Sequence, residues 1–341
     1  MPLDERKLRI LTAIIDDYVL TAVPVGSRTI TRHHDIGVSP ATIRNEMSDL
    51  TELGYLDQPH VSAGRVPSSK AYRLYVDRLL TDGADLSAPD ETIRQYFDRK
   101  AMQMEDIVKT AVQAVSELTR YTAVAILPGQ PQMRIATLQL VPMPRDSALL
   151  VVVTDSGIVR DTILHVSSRL DMDALYSISR MLTDQLAGRT LKEVQQMLDA
   201  YARQGGGETQ VVSGVRDLAM QMARQAEQDT VDVEGIQNIL NYPEFSDLDK
   251  ARAFMTALER RDTLIDMMRA DDGDITVRIG PELSVMDGMP GLSVISGAFT
   301  FGGCRGTLGV IGPMRMPYEQ VIRTVATISR SVTEIFAAER I

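Results

Sequence analysis

Ser39-Pro40-Ala41-Thr42-Ile43-Arg44-Asn45-Glu46-Met47-Ser48-Asp49-Leu50 opens with a side chain suited to cap a helix and a proline suited to its first position. The spacing predicts a helix from 40 to about 53, stopped by Gly54. At about 100° per residue, with Ile43 set at 0°, Met47 falls at about 40° and Leu50 at about 340°, which makes these three a buried stripe. The opposite side carries Ala41 at about 160°, Asn45 at about 200° and Ser48 at about 140°, flanked by Thr42 and Arg44. Asp49 and Glu52 point outward one turn later, where they would repel phosphate. The amino-terminal half is therefore the half suited to a major groove. Asn and Arg are shaped to read adenine and guanine edges, and the small Ala41 and Ser48 permit close approach. An amphipathic helix with a merely polar outer face would show the same spacing.

Working outward, Leu8, Leu11, Ile15 and Tyr18 recur at helical spacing behind Asp4, a candidate cap. Pro24 and Gly26 end that helix, and Ser27 is placed to cap a short second one reaching about His34. Asp35-Ile-Gly-Val38 makes a tight turn into the helix at Pro40. Helix, short helix, glycine turn and helix is the helix-turn-helix layout. On the far side, Tyr55-Leu-Asp-Gln-Pro-His60-Val-Ser-Ala-Gly64-Arg65-Val-Pro67 reads as two short extended arms around a Ser-Ala-Gly tip, with proline in both flanks disfavouring helix. A hairpin directly after such a helix is a wing, and Arg65 beside a glycine can reach phosphate or the minor groove. His60 reads equally as a packing residue at the base of the wing or as a phosphate contact. A further helix over 69–80 begins with Lys70, Tyr72 and Arg73.

Composition permits a DNA partner without requiring one. The 341 residues hold 36 Lys+Arg and 46 Asp+Glu, for a net charge of −10. Residues 1–80 carry ten of each sign, so the whole excess lies in the remainder. A neutral head on an acidic body can bind DNA if its basic groups share one face, because phosphate contacts are local. The length predicts two or three domains. One cysteine excludes an internal disulfide and a cysteine-rich zinc site. The charged first ten residues do not read as a signal peptide, and the longest apolar run is far shorter than a membrane span. The expected location is the cytoplasm.

At this point a resemblance enters. Pro24-Val-Gly-Ser27, Val38-Ser-Pro-Ala-Thr-Ile-Arg-Asn-Glu-Met47, Pro59-His-Val-Ser-Ala-Gly-Arg65 and Tyr72-Arg-Leu-Tyr-Val-Asp77 resemble the heat-inducible transcription repressor HrcA family of bacteria. Gly235-Ile-Gln-Asn-Ile-Leu-Asn-Tyr-Pro-Glu-Phe245, Ile279-Gly-Pro-Glu282 and Leu308-Gly-Val-Ile-Gly-Pro-Met-Arg-Met316 with Tyr318 are similar to later signatures of the family, in the same order. The likeness is weakest over 166–230, and Ser68, Lys70-Ala71 and Leu283 depart from the usual pattern. The resemblance implies a repressor that binds an inverted-repeat operator of chaperone and chaperonin operons as a homodimer and loses activity on heat stress. It also implies the chaperonin GroEL as modulating partner. The expected DNA-contacting set is Arg28, Ser39, Ala41, Thr42, Arg44, Asn45, Ser48, His60, Ser62, Gly64, Arg65, Lys70, Tyr72 and Arg73. Within it, Asn45 and Arg44 are expected on bases, and Arg65 and Arg73 on backbone.

Residues 81–89 read as a polar linker. Beyond it Ala101, Met104, Val108, Ala111, Val115 and Leu118 form a seam at spacings of three and four, and Val321, Val325, Ile328, Val332 and Ile335 repeat it in the last helix. Either seam suits a dimer contact or packing on the protein's own sheet. Strand-like runs at 122–127, 135–141, 148–153 and 158–164 are followed by a mainly helical stretch over 172–269, and strands resume at 275–279, 292–299 and 307–311. A sheet interrupted by helices and then resumed suggests an insertion within one α+β domain. The expected fold is thus α+β and multidomain: a winged helix-turn-helix over 1–85, then a body in two segments, 90–165 and 270–341, carrying an inserted region over 166–269. The resemblance implies that the body is GAF-like and that the insertion dimerises.

No catalytic constellation is present in the sequence. Gly205-Gly206-Gly207 is followed by Glu208-Thr209, lacks a P-loop lysine and reads as a loop. His33-His34-Asp35 invites a metal reading, but adjacent histidines on a short helix are expected to point apart. Cys304 and His165 have no partner nearby in sequence. No cofactor is expected, and the expectation is a non-enzyme. The rival readings are a winged-helix regulator whose body senses a small molecule, and an enzyme built on the α+β body.

Overall fold

The computed structural model describes residues 3–60, 63–81, 96, 104–166, 171–203, 210–269, 273–283, 291–301 and 304–338. The amino-terminal helices are α1 (Glu5–Thr21), α2 (Ser27–His33) and α3 (Pro40–Glu52). Asp4 caps α1 by accepting from the Lys7 amide at 2.7 Å. Gly26, not Ser27, occupies the cap of α2, and Ser27 is its first, buried residue. Ser39 caps α3 by accepting from the Thr42 amide at 3.2 Å, and Gly54 at φ +77° turns the chain out of the helix. Strands β1 (Leu56–Asp57) and β2 (Val66–Pro67) then pair antiparallel, with Leu56 opposite Pro67, before α4 (Ser69–Thr81).

The larger body is a five-stranded antiparallel sheet flanked by helices. Its strands are β3 (Thr122–Leu127), β7 (Thr230–Glu234), β8 (Ile275–Ile279), β9 (Leu292–Phe301) and β10 (Cys304–Pro313), in the order β7-β3-β10-β9-β8. Every residue of β3 is buried, because both faces of the sheet are covered. Ala123 and Ala125 face the core shared with α5 (Met104–Thr119) and α11 (Tyr318–Ala338), while Val124 and Ile126 face Phe245, Phe254 of α9 (Leu248–Glu259) and Met267 of α10 (Arg261–Met268) on the other side. The two expected seams are spent here. Val108, Ala111 and Val115 of α5, and Val321, Val325, Ile328 and Val332 of α11, are buried in the chain's own core, so packing on the sheet takes the place of a dimer contact. Ala101 lies outside the described residues.

A second unit interrupts this sheet. Strands β4 (Ile135–Met143), β5 (Ser147–Thr154) and β6 (Val159–His165) form a separate antiparallel sheet in sequence order. They share one core with α6 (Met172–Leu186), α7 (Leu191–Arg203) and α8 (Gln210–Ala226), running from Met133 to Ala226. The open edge of β4 is closed by α6. The Leu140 amide donates to Ser179 Oγ at 2.8 Å, the Leu138 amide donates to Thr183 Oγ1 at 3.1 Å, and Thr183 returns a bond to the Leu138 carbonyl at 2.9 Å.

This arrangement corrects the expected boundaries at both ends. Residues 135–165 belong with the insertion rather than the larger sheet, and 230–268 belong with the larger sheet rather than the insertion. Strand β7 was read as part of a helical stretch; it pairs Val233 with Val124 along the edge of β3. Period-two patterning identifies strands but does not name their partners. The expected linker over 81–89 and the Gly205-Gly-Gly207 loop lie, except for Thr81, outside the described residues.

Candidate nucleic-acid interface

The outer side of α3 is polar and exposed. Ile43 and Leu50 are 0% exposed and Met47 5%, so the predicted stripe is buried against α1, α2 and the hairpin. Ala41, Arg44, Asn45 and Ser48 are exposed on the opposite side, and Thr42 is half-buried. Arg28 and Arg32 of α2 are exposed. Neither Arg28 nor Arg44 makes an ion pair among the described residues. Ser39 uses its hydroxyl as a cap, also meeting Thr42 Oγ1 at 3.0 Å.

Behind that face lies an anchor that the stripe does not include. Glu46 of α3 is 5% exposed, although it is a carboxylate. Arg6 and Lys7 of α1 both pair with it, Lys7 Nζ at 2.7 Å, and Lys7 also reaches Asp49 at 3.0 Å. Hydrogen bonding to Glu46 and then Asp49 pushes the Lys7 ammonium above its ordinary value. The network clamps α3 on α1 and spends two cations of the head internally, so Arg6 and Lys7 are directed at protein. Glu46 sits about 60° from Ile43, a flank position whose burial depends on partners in another helix.

The hairpin residues divide. His60 is exposed, and Ser62 lies outside the described residues. Gly64 has a structural duty: a Cβ there would lie 2.5 Å from the Val25 carbonyl oxygen, where Val25 and Arg65 exchange backbone bonds of 2.8 and 2.9 Å. Arg65 Nε donates to Thr51 Oγ1 at 2.9 Å, tying the hairpin to α3. Lys70 Nζ donates to the Leu53 carbonyl at 2.8 Å and stands 4.3 Å above the Tyr55 ring, so it closes the carboxyl end of α3.

Two expected contacts are turned toward the body. Tyr72 is 1% exposed and packs on Tyr318 with ring centroids 5.7 Å apart. Arg73 donates to the Val277 carbonyl at 2.7 Å and pairs with Glu282 at 3.1 Å and Asp77 at 3.0 Å. Tyr72 is corrected, since it is buried against the body, while Arg73 is half-buried with its guanidinium engaged by the body.

The histidine pair also departs from expectation. His33 Nδ1 lies 3.2 Å from both Asp17 oxygens and His34 Nε2 lies 3.3 Å from one, so the two rings converge on a buried carboxylate instead of pointing apart. Among the described residues no group of three His, Cys, Asp or Glu is arranged to hold a metal ion. No helix among them is long and apolar enough to cross a membrane.

Comparison with known proteins assigns this geometry to a family. Residues 105–322 match the family model described as HrcA protein C terminal domain. Relatives match over the full length. The heat-inducible transcription repressor HrcA of Ruminiclostridium cellulolyticum is 35% identical over 98% of this chain and 97% of its own. That of Moorella thermoacetica is 37% identical over 98% of each. The chain belongs to the HrcA family. A crystal structure described as a hypothetical protein at 2.2 Å resolution, 26% identical, superposes with a TM-score of 0.76 over 99% of both chains. The HrcA family model begins at residue 105, beyond α3 and the hairpin, so the head enters this comparison through the full-length relatives.

Proposed function

We propose that this chain is a sequence-specific repressor of heat-shock genes, with residues 5–81 acting as a winged helix-turn-helix head and the rest as a GAF-like body carrying an inserted dimerising unit. The observation that carries the reading is the exposed Ala41, Arg44, Asn45 and Ser48 face, held from behind by Ile43, Met47, Leu50 and the Glu46 anchor. In a two-fold dimer, two such helices enter major grooves of an inverted repeat, about 34–36 Å or a multiple apart. Arg44 and Asn45 read base edges, while Arg28, Ser39, Thr42, His60 and the hairpin tip with Ser62 and Arg65 hold the backbone. Members of the family are named heat-inducible repressors, which supports chaperone and chaperonin operons as targets. Heat acts through the small margin between folded and unfolded populations, and the chaperonin GroEL restores the active fraction.

The test is binding to a chaperone-operon inverted repeat against a scrambled duplex across a salt titration. A large preference for the repeat that persists at moderate salt supports the reading. Equal, steeply salt-dependent binding to both contradicts sequence-specific repression. Addition of chaperonin with ATP should raise the binding-competent fraction, and an unchanged fraction removes chaperonin control.

A second reading, a body that senses a small molecule, has one feature in its favour. A cleft of about 320 Å³ lies where the insertion meets the larger sheet, lined in part by Lys109, Met133, Met222 and Thr230, within the size range of ligand sites. A saturable, ligand-specific rise in melting temperature would favour it.

A further inference from the structure

The head is seated on the body at two points on either side of one aromatic contact. On the α4 side, Arg73 binds the Val277 carbonyl and Glu282, and Glu282 in turn accepts from the Ile279 amide at 2.9 Å. That turn is pressed close. Gly280 has φ +53°, and a Cβ on it would lie 2.9 Å from Met314 Sδ and 3.4 Å from Ser69 at the start of α4. On the α1 side, Arg315 forms a forked pair with Glu244, at 2.7 and 3.3 Å, and donates to the Val19 carbonyl at 2.7 Å. Val19 is in the last turn of α1, where a free carbonyl and the helix dipole both favour a cation. Between the two lies the Tyr72–Tyr318 contact, with the Tyr318 hydroxyl fixed by Ser293 at 2.7 Å and the Met314 carbonyl at 2.8 Å.

Five stretches of the sequence therefore meet at this junction: Val19, Tyr72-Arg73, Glu244, Ile279-Gly-Pro-Glu282 and Met314-Arg-Met316 with Tyr318. A free tether between head and body would need none of these contacts. The junction also leaves the outer face of α3 exposed, so it does not block the interface; it fixes the angle at which that face is held.

We propose that Arg73 and Arg315 are positioning residues that lock each head to its body, so that the body sets which half-site spacing the dimer accepts. This rests on the repressor reading above. With both latches closed, two heads in a dimer hold one distance and one rotation. Changing the operator spacer by two base pairs rotates one half-site by about 70° and shifts it by about 7 Å, which a locked pair cannot follow.

The experiment uses the full chain and operators whose spacer is native, two base pairs longer or five base pairs longer, beside a single half-site. The variant is Arg315→Ala with Glu282→Gln, which removes the bond to the Val19 carbonyl on the α1 side and the ion pair on the α4 side without altering any residue expected to touch DNA. Wild type should lose about tenfold or more in affinity on the two-base-pair change, as one head is denied its half-site. The variant should lose less than about threefold, with half-site affinity held within about twofold of wild type. A variant profile as steep as wild type overturns the proposal. So does a loss on the half-site equal to the loss on the full operator, since that is what a purely structural role produces. Wild type that fails to prefer the inverted repeat refutes the repressor reading itself, a result distinct from either.

Discussion

Tyr72 and Asp16 show how single residues answer to burial. The Tyr72 hydroxyl is buried without a hydrogen-bond partner among the described residues, and burial pushes its pKa up. Tyr72→Phe removes that desolvated oxygen and keeps the ring on Tyr318. It should leave stability unchanged or raise it by up to about 1 kcal/mol, with DNA affinity unaltered. Denaturant unfolding and operator binding check both; weaker binding at equal stability would return Tyr72 to the interface. Asp16 is half-buried, which raises its pKa above 3.8, with the charge of His34 and the Tyr75 hydroxyl acting in the opposite direction. A carboxyl whose folded value is raised disfavours the folded state once ionised, so its contribution falls as pH rises from about 3.8 through the raised value. Asp16→Asn should therefore stabilise the chain at pH 7 and flatten that fall, which melting curves across pH measure.

At the scale of elements, the sequence is most legible where a pattern is local. Ser39-Pro40, the Ile43, Met47 and Leu50 stripe, and prolines 59 and 67 placed α3 and the hairpin within a residue or two. Elements whose meaning depends on a distant partner were not legible. Glu46 looks like surface until Arg6 and Lys7 are brought to it, and Arg73 looks like a phosphate contact until Glu282, 209 residues away, is placed beside it. The strands at 135–165 are β-branched and bounded by Pro, Gly and Asp, but that composition does not reveal that they leave the larger sheet. Their edge depends on α6, which yields a prediction at this scale. Ser179→Ala strands the buried Leu140 amide and should cost about 1–3 kcal/mol in denaturant unfolding, with faster amide exchange concentrated in β4. A cost near zero would show that the helix does not cap that edge.

Over the whole molecule, one core runs from Ile10 of the head through Tyr72, Met316 and Tyr318 into the sheet, so head and body unfold together rather than as beads on a tether. That coupling suits a heat-sensitive regulator, because loss of the body's packing also releases the head. The outer face of α3 is the surface proposed to read DNA. The most direct measurement is the affinity ratio between the chaperone-operon inverted repeat and a scrambled duplex for wild type and for Arg44→Ala with Asn45→Ala. Both substitutions lie on an exposed face and leave the Glu46 anchor in place. Wild type should favour the repeat by about a thousandfold or more at moderate salt, and the double variant should fall toward parity with an unchanged melting temperature. A variant that keeps the wild-type ratio would contradict the account.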